Sequence, residues 1–272
     1  MSSLGIVRRL LPEWGTTYGP PAEAPLPAVL ILHGSEGGMS GWSHRNAAIL
    51  AASGFLAYPH GYSVDGNAWN AGSIENVELM RTVEAIQALR NFDACDGRVV
   101  LYGVSRGAEH ALLVASLMAQ EGMEALPEAV ACLTPPDVVC GAFDAKRYRD
   151  PGDPGWQAWD AKRRAWCWNG ESDSLLPTTP IPIEHYPGPL FLAVGLQDAT
   201  WSPEMTRRLE HRRVANQLPV EAHYYAGEGH IPGSEGENKH HRLLLDFLDR
   251  SVPSKINENH TNATHSATLS TA

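Results

Sequence analysis

No apolar run in this 272-residue sequence approaches the roughly 20 residues that cross a bilayer, and residues 1–9 hold two arginines without the apolar stretch of a secretory signal. A membrane-embedded or exported protein is therefore not expected; the cytoplasm is. Cysteine is scarce as well. Cys95, Cys132, Cys140 and Cys167 are too few for a disulfide framework in a chain of this length, and their spacing is not that of metal ligands, so neither a metal nor another cofactor is expected. Positive charge is short: 21 Lys and Arg stand against 31 Asp and Glu, a net −10 spread along the chain. That balance argues against nucleic acid and anionic membrane surfaces as partners and leaves a small neutral or acyl substrate as the expected one, with a homodimer left open. No internal repeat is apparent. What the chain does have is apolar material, 43% of its residues, enough for a sizeable core in one large domain over residues 1–252.

Strand and helix signals alternate. Residues 5–11 read as an edge strand and the Gly- and Pro-bearing stretch 15–27 as a loop. Residues 28–32 (AVLIL) form a continuous apolar run of the kind buried on both faces of a sheet. A helix over 46–53 capped by Gly54, a strand over 55–58 and a loop over 59–72 follow. Between residues 74 and 91, Leu79, Val83, Ile86 and Leu89 recur at helical spacing, which predicts a crossover helix. Strands are expected over 98–102, 129–133, 190–194 and 220–225, and helices over 108–120, 203–216 and 239–250. This alternation predicts an α/β fold with a mostly parallel, doubly wound sheet, whose ligands gather beyond the carboxyl ends of the strands. Residues 134–187 break the pattern. They are proline-rich, carry Trp156, Trp159, Trp166 and Trp168, and read as an insertion or cap over the active site. Residues 253–272, rich in Asn, Thr and Ser, are expected to be a disordered tail, and their two Asn-x-Thr triplets are read as coincidence.

One stretch organises these elements. Gly103–Val104–Ser105–Arg106–Gly107 joins a β-branched strand to an amphipathic helix, the context in which a G-x-S-x-G turn lifts its serine above a sheet. Ser105 is thus a candidate nucleophile. A serine hydroxyl needs a base to take its proton and an acid to orient that base, and in this fold class both follow in the chain order serine, acid, histidine. Asp198, four residues past the apolar run 190–194, and His230, between Gly229 and Ile231, meet that demand. His110 sits too far into the helix to return to Ser105, His33 opens a glycine-rich loop, His240 and His241 read as an exposed helix start, and Asp173 is a fallback acid. The backbone amides of Arg106 and Ser35 are the expected oxyanion donors. The Arg106 side chain is either solvated or steers an anionic substrate, and Glu109 favours the helix dipole. Glu36 lies where it ties down its loop or tunes the nucleophile.

The segments LHGSEGG (32–38), YGVSRGAEHALLVA (102–115), GPLFLAVGLQDATW (188–201) and YAGEGH (225–230) resemble the α/β-hydrolases. Within them, the likeness is to acyl-CoA thioesterases and the catalytic domain of bile acid-CoA:amino acid N-acyltransferase, with dienelactone hydrolases and small carboxylesterases as neighbours. The resemblance implies an α/β-hydrolase fold, a triad of Ser105, Asp198 and His230, and hydrolysis of a carboxylic thioester or ester through an acyl-enzyme. Trp201, with Glu36, is expected to contact substrate or tune the site. Acyl transfer, peptide cleavage and lactone hydrolysis use the same machinery, and a non-catalytic binding protein is the remaining alternative. Serine where those animal enzymes often carry cysteine leans toward transfer to water.

Overall fold

In a computed structural model, which describes residues 5–37, 41–63, 72–144 and 159–254, the chain opens on a hairpin of β1 (Val7–Leu11) and β2 (Gly15–Gly19). Thr16, Thr17 and Tyr18 are strand-favouring residues, and Glu13 and Gly15 supply the turn at φ 65° and 126°. The stretch expected to be loop therefore contributes a strand, its preference hidden by the glycines and prolines around it. Next come β3 (Leu26–Leu32), α1 (Trp42–Ala52) and β4 (Leu56–His60). The predicted helix over 74–91 begins only at Met80. Asn76 turns the chain at φ 49°, β5 (Val77–Glu78) precedes α2 (Met80–Arg90), and the apolar helical face survives in Val83, Ile86 and Leu89.

The chain continues with β6 (Cys95–Val104), α3 (Arg106–Gln120) and β7 (Ala129–Leu133). The region read as irregular contains β8 (Gly141–Phe143), β9 (Trp159–Arg164) and β10 (Trp166–Cys167), then a 3-10 turn at Ile183–His185. β8 pairs antiparallel with β9, and β10 lies parallel to β5, so this region adds its own small sheets against residues 74–79. Last come β11 (Leu190–Gly195), α4 (Pro203–Ala215), β12 (Val220–Tyr225) and α5 (Ser234–Ser251). Helix α4 starts on Ser202, whose hydroxyl caps Glu204 N–H, with proline at its first position.

Eight strands form the main sheet in the order β1-β2-β4-β3-β6-β7-β11-β12, parallel from β4 to β12 and antiparallel where β2 pairs with β1 and with β4. Alternation along β3 explains the layers. Ala28, Leu30 and Leu32 join the core beneath α2, α3 and α4, while Val29 and Ile31 join the one beneath α1 and α5. Every residue of β3 is buried, and each such aliphatic side chain contributes about 1.5–3 kcal/mol. Among the described residues no helix is long and apolar enough to cross a membrane. Ser254 is buried and donates to Gly54 O at 2.9 Å; residues 255–272, most of the expected tail, lie outside the described residues, as does Trp156.

Candidate active site

The turn from β6 into α3 is strained at one residue. Ser105 holds φ 53° and ψ −119°, a conformation L-residues avoid, and its N–H is fastened to Leu133 O at 2.9 Å. The flanking glycines are required by contact rather than by φ: a Cβ on Gly103 would stand 2.2 Å from Gly107 O, and one on Gly107 would stand 2.1 Å from Leu32 O. The elbow thus packs directly on the end of β3. Ser105 remains only slightly exposed there, with the N–H of Arg106 first in its helix and without an intrahelical acceptor.

Two loops at the carboxyl ends of β11 and β12 bring the other groups. Leu196 N–H donates to Tyr225 O at 2.9 Å and Gln197 N–H to Glu228 O at 2.8 Å, so the loops are bonded to each other. They touch at Gly195, where a Cβ would come within 2.2 Å of Gly229 O. Asp198 is buried; its Oδ1 accepts the N–H groups of Thr200 (2.8 Å) and Trp201 (2.9 Å), and its Oδ2 lies 2.8 Å from His230 Nδ1. His230 Nε2 in turn lies 2.9 Å from Ser105 Oγ. Thr200 and Trp201 fix which oxygen faces the imidazole, and the Trp201 ring meets His230 edge-on, 5.6 Å between centroids at 89°. Ser105, His230 and Asp198, far apart in sequence, form one hydrogen-bonded chain.

The loop after β3 borders this chain. His33 Nδ1 is 2.7 Å from Gly34 O, and Gly37 N–H bonds back to Gly34 O at 3.2 Å, placing Ser35 at the tip of a tight turn beside the elbow. Tyr62 stacks on the His33 ring at 4.1 Å and donates its hydroxyl to His33 O at 2.8 Å. Burial pushes the His33 imidazole down to about 4, so it is neutral at physiological pH. The Glu36 side chain folds over Gly34 and accepts its N–H at 2.9 Å. Desolvation by the surrounding protein raises the Glu36 carboxyl above its usual range, against the opposing pull of its backbone hydrogen bonds and of His230. It therefore ties its own loop and also stands within electrostatic reach of the histidine.

Several expectations need correction. The Arg106 side chain is neither solvated nor able to steer substrate: it is fully buried, with Nη1 2.9 Å from Glu109 Oε2 and the guanidinium 5.2 Å from the Trp166 ring centroid. An arginine beside a surface-facing serine reads as solvated from sequence, because the segment that covers it lies sixty residues further on. Glu109 does more than favour a dipole; its Oε1 accepts Cys140 N–H and Trp166 Nε1–H, both at 2.7 Å. Burial raises its carboxyl, with Arg106 opposing. His240 is not an exposed helix start but lies buried between the hydroxyls of Tyr102 (2.9 Å) and Tyr225 (3.0 Å), while His241 is half-buried against Asn46. The helix begins at Ser234, five residues before the predicted start at 239, so residue 240 lies inside it and faces the sheet. His110 bonds Thr82 Oγ1 at 2.7 Å, away from Ser105, and Asp173 is exposed beside Arg164. Trp166 and Trp168 are core residues, and Trp159 packs on Phe143 at 5.4 Å. Gly195 and Tyr62 were not singled out from sequence; a glycine ending a buried strand was the available signal for the first. Among the described residues no three His, Cys, Asp or Glu side chains converge as a metal site.

Solved structures with this topology include an esterase of the Planctomycetes species Thermogutta terrifontis, 14% identical, matching 92% of this chain and 94% of that one at a TM-score of 0.60. A dienelactone hydrolase-like promiscuous phosphotriesterase from metagenomic libraries is 13% identical and matches 91% of this chain and 98% of that one at 0.59. The chain has the α/β-hydrolase fold. Within that fold, Ser105 occupies the strand-to-helix elbow, and Asp198 and His230 lie on the loops after β11 and β12. No family model matches the sequence. Acyl-coenzyme A thioesterase 6 of Mus musculus is 26% identical over 228 residues, 79% of this chain and 51% of that protein, so the chain spans about half the length of the curated relative it matches.

Proposed function

We propose that the protein is a serine hydrolase that cleaves a carboxylic thioester or ester through an acyl-enzyme on Ser105. The observation that carries this reading is the continuous contact from Ser105 Oγ to His230 Nε2 at 2.9 Å and from His230 Nδ1 to Asp198 Oδ2 at 2.8 Å, held on a strained elbow. In this reading His230 takes the hydroxyl proton as Oγ attacks the acyl carbonyl. Asp198 then faces the imidazolium, and the N–H groups of Arg106 and Ser35 receive the developing oxyanion. The imidazolium gives its proton to the departing thiolate or alkoxide. Water, deprotonated by the same imidazole, then frees the acid and restores the serine.

The thioester half of the proposal is supported by likeness to a mouse acyl-coenzyme A thioesterase, and the ester half by the esterases that share the fold. Lactone hydrolysis is the second reading, supported by the dienelactone hydrolase-like structures among the neighbours. Initial rates over a panel of acyl-CoA thioesters, p-nitrophenyl esters and lactones, with Ser105→Ala as the control, test it. The proposal expects saturable turnover of a thioester or ester that Ser105→Ala reduces by at least about 10³-fold. Turnover unaffected by Ser105→Ala overturns it.

A further inference from the structure

One carboxylate gathers both flanks of the region between β7 and β11 onto the nucleophile's own helix. Glu109 donates its N–H to Ser105 O at 3.1 Å, one turn after the elbow. Its Oε1 accepts Cys140 N–H from one flank and Trp166 Nε1–H from the other, and Arg106 closes the cluster at Oε2. Glu109, Arg106 and Trp166 are fully buried and Cys140 half-buried, and in such surroundings a hydrogen bond to a charged group is strong and an unmatched partner is costly. The contact does not stop at Trp166. Its ring packs on Tyr62, 5.7 Å between centroids, and Tyr62 both stacks on His33 and holds the His33 carbonyl. His33 is the last residue before the turn that carries Ser35.

We infer that Glu109, Trp166 and Tyr62 are positioning residues: through them the 140–166 flanks set the distance between the Ser105 elbow and the His33–Ser35 turn, and hence the geometry of the two oxyanion donors. The inference rests on the proposed acyl-enzyme chemistry. The elbow and the turn belong to different strands, β6 and β3, whose backbones are fixed by the sheet only as far as Val104 and Leu32. Beyond those residues the elbow is held by the Ser105 N–H bond to Leu133 O and by the close approach of Gly107 to Leu32 O, whereas the His33 carbonyl is held by the Tyr62 hydroxyl, and a displacement of about 1 Å at such a site costs up to about 10²-fold in rate. Trp166 touches both sides. Glu109 anchors it to the elbow, and Tyr62 carries the contact to the turn.

The test is a double-mutant cycle of Trp166→Phe, which removes only the indole N–H and trims the ring, and Tyr62→Phe, which removes only the hydroxyl. For each protein, kcat and KM on a p-nitrophenyl ester are measured with the inhibition constant of a trifluoromethyl ketone, whose adduct places an oxyanion between the two donors. Melting temperature and fluorophosphonate adduct stoichiometry are measured alongside. The inference expects each single variant to lower kcat and inhibitor affinity together by about tenfold at nearly constant KM. It expects the double variant to lose about tenfold as well, because the two changes break one chain of contacts. Additive losses of about a hundredfold, or lowered melting temperature with inhibitor affinity unchanged, overturn it. If Trp166→Phe reduces the folded yield, Glu109→Gln with Tyr62→Phe reads the same coupling. A wild-type protein that takes no adduct overturns the hydrolase reading and this inference together; a labelled wild type with additive losses overturns this inference alone.

Discussion

Substituting Asp198 by asparagine should do more harm to catalysis than deleting the side chain, and the reason lies in two backbone N–H groups. Oδ1 of Asp198 accepts from Thr200 at 2.8 Å and Trp201 at 2.9 Å, while Oδ2 faces His230 Nδ1 at 2.8 Å. An asparagine must keep its single oxygen on those two donors, since turning its NH2 toward them would set donors against donors in a buried place. Its NH2 then points at His230 Nδ1, which must accept. The imidazole is forced to carry its proton on Nε2, facing Ser105 Oγ, where a base is needed. With the tautomer inverted and the counter-charge gone, kcat should fall by about 10³–10⁴-fold, equivalent to about 4–5.5 kcal/mol of barrier. Stability should change little because the hydrogen bonds are preserved in number. Asp198→Ala leaves the imidazole free to choose its tautomer but strands the Thr200 and Trp201 N–H groups, so it should retain more activity than asparagine and lose about 1–3 kcal/mol of stability. Ester hydrolysis at pH 8 and thermal melting of both variants decide the matter. An asparagine variant within tenfold of the wild type, or one markedly less stable than the alanine variant, refutes this reasoning.

Three more outcomes follow from the same geometry. His33, His60 and His240 are held neutral by burial, at about 4, 3 and 3, so the unfolded chain binds their protons first. Stability is unaffected by them above the ordinary histidine range and falls as pH drops below 6.5, with a limiting slope of at most about 4 kcal/mol per pH unit for the three, and the raised carboxyls of Glu36 and Glu109 act in the opposite sense. Melting temperature followed from pH 7 to 4.5 should fall, and His60→Gln should flatten the fall by about a third; identical slopes contradict the assignment. Gly195→Ala drives a Cβ to 2.2 Å from Gly229 O and should separate Asp198 from His230, lowering kcat by about 10²-fold with the sheet still folded by circular dichroism. Glu36 is exposed at its turn and only its contact with Gly34 is shielded, so removing the charge in Glu36→Gln should make the variant slightly the more stable of the two above pH 4.5 and equal below it, as measured by urea midpoints across pH.

The centre of the sheet was legible because β3, β7 and β11 are continuous apolar runs, and β7 and β12 were located to the residue at 129–133 and 220–225. The hydrogen-bonded chain was legible too, since Ser105, Asp198 and His230 each follow a strand signal. What composition concealed was tertiary. A strand between glycines and prolines looks like a loop until Tyr18 finds Ala57 to pair with. An arginine at a helix start looks solvated, and a glutamate there looks like a match for the dipole alone, until Trp166, remote in sequence, covers them. The helix predicted from residue 74 begins only at Met80, because Ile74 and Val77 are apolar for another reason, their pairing with Phe143 and Trp166. Local pattern shows which residues want burial, and the partner that buries them is set by the whole chain.

The claim on which the rest depends is that Ser105 is a nucleophile activated by His230. Incubating the wild-type protein with a fluorophosphonate probe and mapping the adduct by peptide mass spectrometry measures it directly. One adduct per chain on Ser105, its rate of formation reduced at least about 10³-fold in His230→Ala, is the result expected. A folded wild-type protein that stays unlabelled, or an adduct on another residue with Ser105 untouched, contradicts it.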